Sequence, residues 1–262
     1  MTDLGTRGPA ADGTRSDSFL TVLDMRMLPP DGETARATAH LGPATWAKGT
    51  ERPRLGALVA MADIVAGLRP TGPVVPTVDL NLQLLRPAPA RGRVDLECRP
   101  LKAGRRLFVG EVLMRHEGTL LARSVATFIN RSYGGTGSPP RGPARREASF
   151  DDWFLPSYPD ERTVLVERTE EISNGPGATV QGGAQATVAE LAAEWVLSPL
   201  GPHAAVDLDI RYLGRVAAGP LAATADVLAV RGDRAFVSVM LTDAGAGDAV
   251  VAHASVVCRP EA

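Results

Sequence analysis

Asp63 stands inside a run of small and apolar residues, Leu55 to Leu68, that reads as a helix buried on most sides. A carboxylate in that setting is costly to desolvate, so it needs a partner or a task. The task open to it is attack on an electrophile or activation of a water, and the sequence leaves both open. Gln181-Gly182-Gly183 opens a second helical run, Gly183 to Leu197. Free N–H groups at a helix start, with no side chain in the way, suit an oxyanion hole. Thr77 begins a strand and could hold Asp63 or a water, and Asn174 could hydrogen-bond a water or a carbonyl. Each residue also has a structural reading. Asp63 could cap a buried backbone group, Thr77 is a good strand former, Asn174 precedes a Gly-Pro turn, and Gln181-Gly-Gly could be only a helix entry.

The elements that must position these residues come as a repeat. Arg54–Asp63 aligns without gaps on Gln181–Glu190, Thr77–Leu85 on Ala205–Leu213, Gly104–Val109 on Gly232–Val237, and Leu121–Thr127 on Val251–Val257. Four collinear blocks at a spacing of 127 to 130 residues point to a duplicated module. In each half, strand-like segments (Ser18–Leu28 and Glu33–Leu41 in the first) precede a helix, and three strands follow it. Val78, Leu80, Leu82 and Leu84 alternate with polar residues, as do Val206, Leu208, Ile210 and Tyr212. Gly104 and Gly232 mark hairpin turns. A lone helix followed by antiparallel strands must bury its apolar surface against them, so the fold class is α+β. The expected organisation is a disordered tail over 1–17, a first repeat over 18–133, a Gly/Pro/Arg-rich linker over 134–160 and a second repeat over 161–262. Phe150-Asp-Asp-Trp-Phe-Leu155 is aromatic enough to dock, with no specific role assigned.

Composition narrows the function classes. The 262 residues are 44% hydrophobic and 22% charged, as in an ordinary globular chain that can bury a core. A formal charge of -2 gives no general attraction to nucleic acid or anionic lipid. Cys98 and Cys258 fall in apolar, strand-like surroundings and read as buried free thiols of a reducing compartment. His40, His116, His203 and His253 are scattered, without metal-ligand spacing, so no metal or cofactor is expected. No stretch reads as a signal peptide or membrane span, so a cytoplasmic location is expected.

At the four repeated blocks the sequence resembles hotdog-fold acyl-CoA thioesterases of the PaaI-like group. That group shows Asn, a short loop, His-Gly-Gly, and a helical Asp or Glu seven residues after the second Gly. Here the second half reads Asn174-Gly-Pro-Gly-Ala-Thr-Val-Gln181-Gly182-Gly183 with Glu190 following, and the first reads Arg54-Leu55-Gly56 and then Asp63. The resemblance implies a double hotdog, two repeats each with a long central helix wrapped by an antiparallel sheet. It also implies composite sites, with the Asn and Gly-Gly turn from one repeat and the carboxylate and Ser/Thr from the other. One site would then join Asp63 and Thr77 to Asn174, Gln181, Gly182 and Gly183. The second, degraded, would join Glu190 and Ala205 to the Gly56 turn.

The implied activity is hydrolysis of an acyl-CoA or acyl-carrier-protein thioester at one working site. Lys102, Arg105 and Arg106 cluster at a hairpin and are candidates for coenzyme A phosphates, with a solvated charged turn as the plainer reading. Gln181 departs from the family histidine: it can donate to a carbonyl but cannot relay protons. A non-catalytic acyl-thioester binder is therefore one alternative. A hotdog enoyl thioester hydratase or dehydratase is another, weakened because no His follows Asp63 on its helix. The sequence leaves open a homo-oligomer of the fused pair and gives no interface for one.

Overall fold

Leu80 and Leu82 lie fully buried while Asp79, Asn81 and Gln83 between them are more open, and this two-residue alternation recurs along the strands. The computed structural model describes residues 19–67, 76–129, 149–173 and 179–261. The first half contains β1 (Arg26–Asp31), β2 (Thr34–Leu41), α1 (Leu55–Gly67), β3 (Thr77–Leu84), β4 (Gly92–Ala103), β5 (Leu107–His116) and β6 (Thr119–Ile129). The second contains β7 (Thr163–Val166), α2 (Gly182–Leu197), β8 (His203–Tyr212), β9 (Leu221–Arg231), β10 (Arg234–Asp243) and β11 (Ala249–Pro260).

Among the described residues eleven strands form one antiparallel sheet in the order β1-β2-β4-β5-β6-β3-β8-β11-β10-β9-β7. Read outward from the β3–β8 junction, the first five strands of each half come in the same order, and β1 extends the first half alone. The register at the junction fixes the symmetry: Asn81 pairs with Asp209, and these are equivalent residues of the two repeats. A pseudo-twofold axis therefore passes between them. Both helices pack against the sheet and against each other.

The helix contact is close because glycine makes it so. A Cβ on Gly183 would stand 2.5 Å from the Ala60 Cβ, and one on Gly56 would strike Thr187. Gly56 and Gly183 are repeat equivalents, as are Ala60 and Thr187, so the same axis relates the two contacts. Leu58, Val59, Met61 and Ala62 of α1 are completely buried, as an apolar run without a polar face requires.

Two expectations change. The chain expected as a strand over Ser18–Leu28 forms a short 3-10 helix, Phe19–Leu23, before β1. Consecutive Val22 and Leu23 are both buried, which a strand lying on one face of a core does not allow. Among the described residues four strands rather than three follow each helix, the Gly104 hairpin joining β4 to β5 and the Gly232 hairpin joining β9 to β10. Within the expected linker, Phe150–Trp153 forms a 3-10 turn whose Phe150 is buried beside Phe154. Cys98 and Cys258 are buried free thiols, and burial pushes the Cys98 thiol up to about 12.

Candidate active site

Asp63 sits in the penultimate turn of α1 and receives two hydrogen bonds, one on each oxygen. The Thr77 hydroxyl donates to Oδ1 at 2.6 Å, and the Gln181 side-chain amide donates to Oδ2 at 3.1 Å. Thr77 reaches inward because of a β-bulge. The register shifts between Thr77 and Asp79, so Thr77 faces the core side although Asp79, Asn81 and Gln83 do not. The bulge is repeated at Ala205 on β8, where the side chain has no hydroxyl.

Gln181 is held from three directions. Its backbone N–H donates to the Ile172 carbonyl, beside a β-bridge between Ser173 and Val180. Its side-chain carbonyl caps α2 by accepting from the Ala184 N–H at 3.1 Å. With the carbonyl engaged by the helix, the amide nitrogen is the end left to face Asp63. Among the described residues nothing accepts from the N–H groups of Gly182 or Gly183, which open the helix.

Burial pushes the Asp63 carboxyl up to about 6, against the pull of the Thr77 and Gln181 hydrogen bonds. Tyr212, from β8, lies against the same turn and donates its hydroxyl to the Gly182 carbonyl at 2.9 Å. Burial, with the Asp63 charge nearby, holds this phenol well above its usual range, so it remains a donor. A Cβ on Gly182 would meet the Tyr212 hydroxyl at 3.1 Å and Asp63 Oδ2 at 3.4 Å.

The equivalent place across the axis is filled with protein. Glu190 is fully buried and accepts from the N–H groups of Leu55 (3.1 Å) and Gly56 (2.7 Å) at the start of α1. Arg54, where the other half has Gln181, is 6% exposed. It grips Asp151 with two bonds of 2.7 Å, pairs with Glu194 and reaches Glu190 at 3.5 Å. Arg52 adds contacts to Glu190, Glu194 and Glu261. Burial pushes the Glu190 carboxyl upward, and the Arg54 and Arg52 guanidiniums and the Gly56 N–H pull it back.

A cleft of about 320 Å³ opens beside this network, lined by Arg52, Arg54, Tyr158, Glu194, Trp195 and His203 among others. Its charged groups are already paired with one another, so the cleft is weaker evidence of chemistry than the clamped carboxylate at Asp63.

Residues 56–122 match the family described as Thioesterase superfamily. No curated protein sequence matches the chain. Among solved structures, the chain is similar to a tesB protein of Mycobacterium avium subsp. paratuberculosis, with 16% identity and a TM-score of 0.67 over 92% of this chain and 97% of that one. It is also similar to an acyl-CoA thioesterase II of Mycobacterium marinum (15%, TM-score 0.61, 93% and 98% covered). A protein from Alicyclobacillus acidocaldarius described as having a hot dog fold matches at 14% identity and TM-score 0.61, with 93% and 98% covered. The chain has the hotdog fold.

On this hotdog scaffold Asp63, Thr77, Gln181, Gly182 and Gly183 come together at one end of the helix pair. Asn174 lies outside the described residues. Glu190 and Gly56 also meet, through a hydrogen bond that occupies the α1 N-terminus. Lys102, Arg105 and Arg106 are exposed at the β4–β5 hairpin and make no hydrogen bond or ion pair with the Asp63 group. The register row Thr77–Phe128–Phe108–Ala103 nevertheless places that hairpin three strands from Thr77, about 14 Å away at the usual strand spacing. Sequence reasoning did not pick out Tyr212, seen only as an alternating strand residue, or Arg54 as the pivot of a buried network. Its signals were an aromatic with a polar tip where the first repeat has Leu84, and an arginine where the second has Gln181. No helix is long and apolar enough to cross a membrane, and no group of metal-ligating side chains occurs, both among the described residues.

Proposed function

We propose that this chain is a double hotdog that hydrolyses an acyl thioester at a single composite site. The observation that carries the reading is a partly buried carboxylate, Asp63, held on both oxygens by Thr77 and Gln181 beside the open N-terminus of α2. Residues of both repeats are needed for it. The Thioesterase superfamily match over 56–122 and the named activity of the Mycobacterium marinum neighbour support the same chemistry.

In the proposed mechanism Asp63 is the general base. With its carboxyl near 6 it is ionised at neutral pH yet basic enough to take a proton from water. The water oxygen bonds to the thioester carbon, and the charge on the carbonyl oxygen is met by the Gly182 and Gly183 N–H groups. The C–S bond then breaks, and the leaving thiolate takes the proton back from Asp63. Gln181 acts as an orienting group, because both ends of its amide are occupied. Coenzyme A or carrier-protein phosphates would lie across the strand ends toward Lys102, Arg105 and Arg106 of the β4–β5 hairpin. The alternative site built on Glu190 is proposed to be inactive, since a protein carboxylate already holds its helix N–H groups.

The test is thiol release from a panel of acyl-CoAs of different chain length by the parent, Asp63→Ala and Glu190→Ala. Activity lost only in Asp63→Ala supports the reading. No cleavage of any acyl-CoA or acyl-carrier protein by the parent overturns it, and thioester binding without turnover would mark a binder instead.

A further inference from the structure

Tyr212 breaks the pseudo-symmetry at the most sensitive point of the site. Its repeat equivalent is Leu84, which has no polar atom to offer, and the rest of the two strands match closely. The Tyr212 hydroxyl donates to the Gly182 carbonyl at 2.9 Å and lies within reach of any atom added at Gly182. That carbonyl belongs to the same peptide unit as the Gly183 N–H. The unit is planar and trans, so whatever grips the oxygen also fixes the direction of the N–H. A hydrogen bond accepted at the carbonyl also polarises the amide and strengthens its N–H as a donor, by roughly 10–30% per bond.

We infer that Tyr212 is a positioning residue, which locks and polarises the Gly182–Gly183 peptide so that the Gly183 N–H can meet the developing oxyanion. This rests on the thioester-hydrolase reading of the site. Tyr212 need not touch the substrate. Its contribution is made before substrate arrives, since the bond is present in the free protein. The first repeat has neither this device nor the open helix end it would serve: the α1 N–H groups are held by Glu190 and the tyrosine position is leucine.

The test compares the full chain with Tyr212→Phe, which removes only the hydroxyl. In amide-proton NMR the Gly183 resonance should move upfield in Tyr212→Phe. Replacing the three tyrosines by 3-fluorotyrosine, a stronger donor, should move it downfield. For acyl-CoA hydrolysis, kcat should fall roughly 3- to 10-fold in Tyr212→Phe with KM unchanged. A Gly183 resonance that stays put in both proteins overturns the inference, as does a kcat equal to the parent's. A parent that cleaves no thioester sinks the hydrolase reading, and the Gly183 shifts still decide whether Tyr212 governs this peptide. Should Tyr212→Phe fail to fold, the fluorotyrosine protein alone carries the decision.

Discussion

Gln181 and Asp63 are joined by a hydrogen bond whose direction is set elsewhere. The Gln181 carbonyl is committed to the Ala184 N–H of α2, so its amide nitrogen must face the carboxylate across the repeat boundary. Helix capping and the electrostatics of the candidate base are thus one interaction.

Replacing Gln181 tests that union. Gln181→Ala removes the cap and should cost about 1 kcal/mol of stability, read as a lowered urea midpoint. It also frees Asp63 and should reduce kcat by roughly 10- to 100-fold. Gln181→Glu places a second carboxylate against Asp63 and should move the acid limb of the pH–rate profile upward. A limb that stays in place would remove Gln181 from contact with the base.

The pH dependence follows from Asp63 directly. Its carboxyl is raised from 3.8 to about 6, and its ionised form is the proposed base. Thiol release should therefore rise with pH through an apparent midpoint near 6, and a flat profile between pH 5 and 7 would contradict the role. Stability moves the other way. A carboxyl with its folded value above the unfolded one binds its proton more tightly when folded, so stability is full below about 4 and lost as pH rises through 6. Asp63→Asn should be inactive, with thiol release down at least about 10³-fold. It should also be more stable than the parent at pH 7 by roughly 2 kcal/mol after solvent screening, and no more stable at pH 4.

Glu190 should behave as the opposite of Asp63. Glu190→Ala leaves Arg54 in a buried network with one acceptor fewer, and orphans the Leu55 and Gly56 N–H groups. A loss of about 3–5 kcal/mol is expected in urea melts. Where the variant is folded, at low temperature, its specific activity should stay near the parent's.

The two glycines of the α2 entry separate packing from chemistry. Gly183→Ala drives a methyl group into Ala60 and should cost about 1–3 kcal/mol by forcing the helices apart. Gly182→Ala places its methyl group 3.1 Å from the Tyr212 hydroxyl and 3.4 Å from Asp63 Oδ2, so the tyrosine side chain must give by a few tenths of an ångström. It should lower kcat/KM far more than it lowers the melting temperature.

Much of this was legible in the sequence because four blocks of the first half recur in the second. The matched blocks located both helices and strands that follow them, and the family resemblance implied that Asp63 and Thr77 meet Gln181-Gly-Gly across the repeats. What stayed hidden depends on long-range partners. Arg54 stood out only as the first residue of the Arg54-Leu55-Gly56 turn, since Asp151 and Glu194, which hold it, lie far along the chain. Tyr212 fitted its strand by periodicity alone, and only tertiary packing brings its hydroxyl to Gly182. The inward turn of Thr77 was likewise invisible, because a bulge shifts the register without leaving a residue-type signature.

The pairing of Asn81 with Asp209 on the pseudo-twofold axis has a consequence for how such a protein can change. In a dimer of identical subunits, a substitution at one site is written at its mate as well. An arginine at the helix entry would have to face both carboxylates, and a tyrosine would have to serve both glycine turns. With the two copies on one chain, Arg54 faces Glu190 while Gln181 faces Asp63, and each was free to be altered without its twin. On the single-site reading, covalent joining leaves one of the two composite sites to hold the molecule together while the other carries the chemistry.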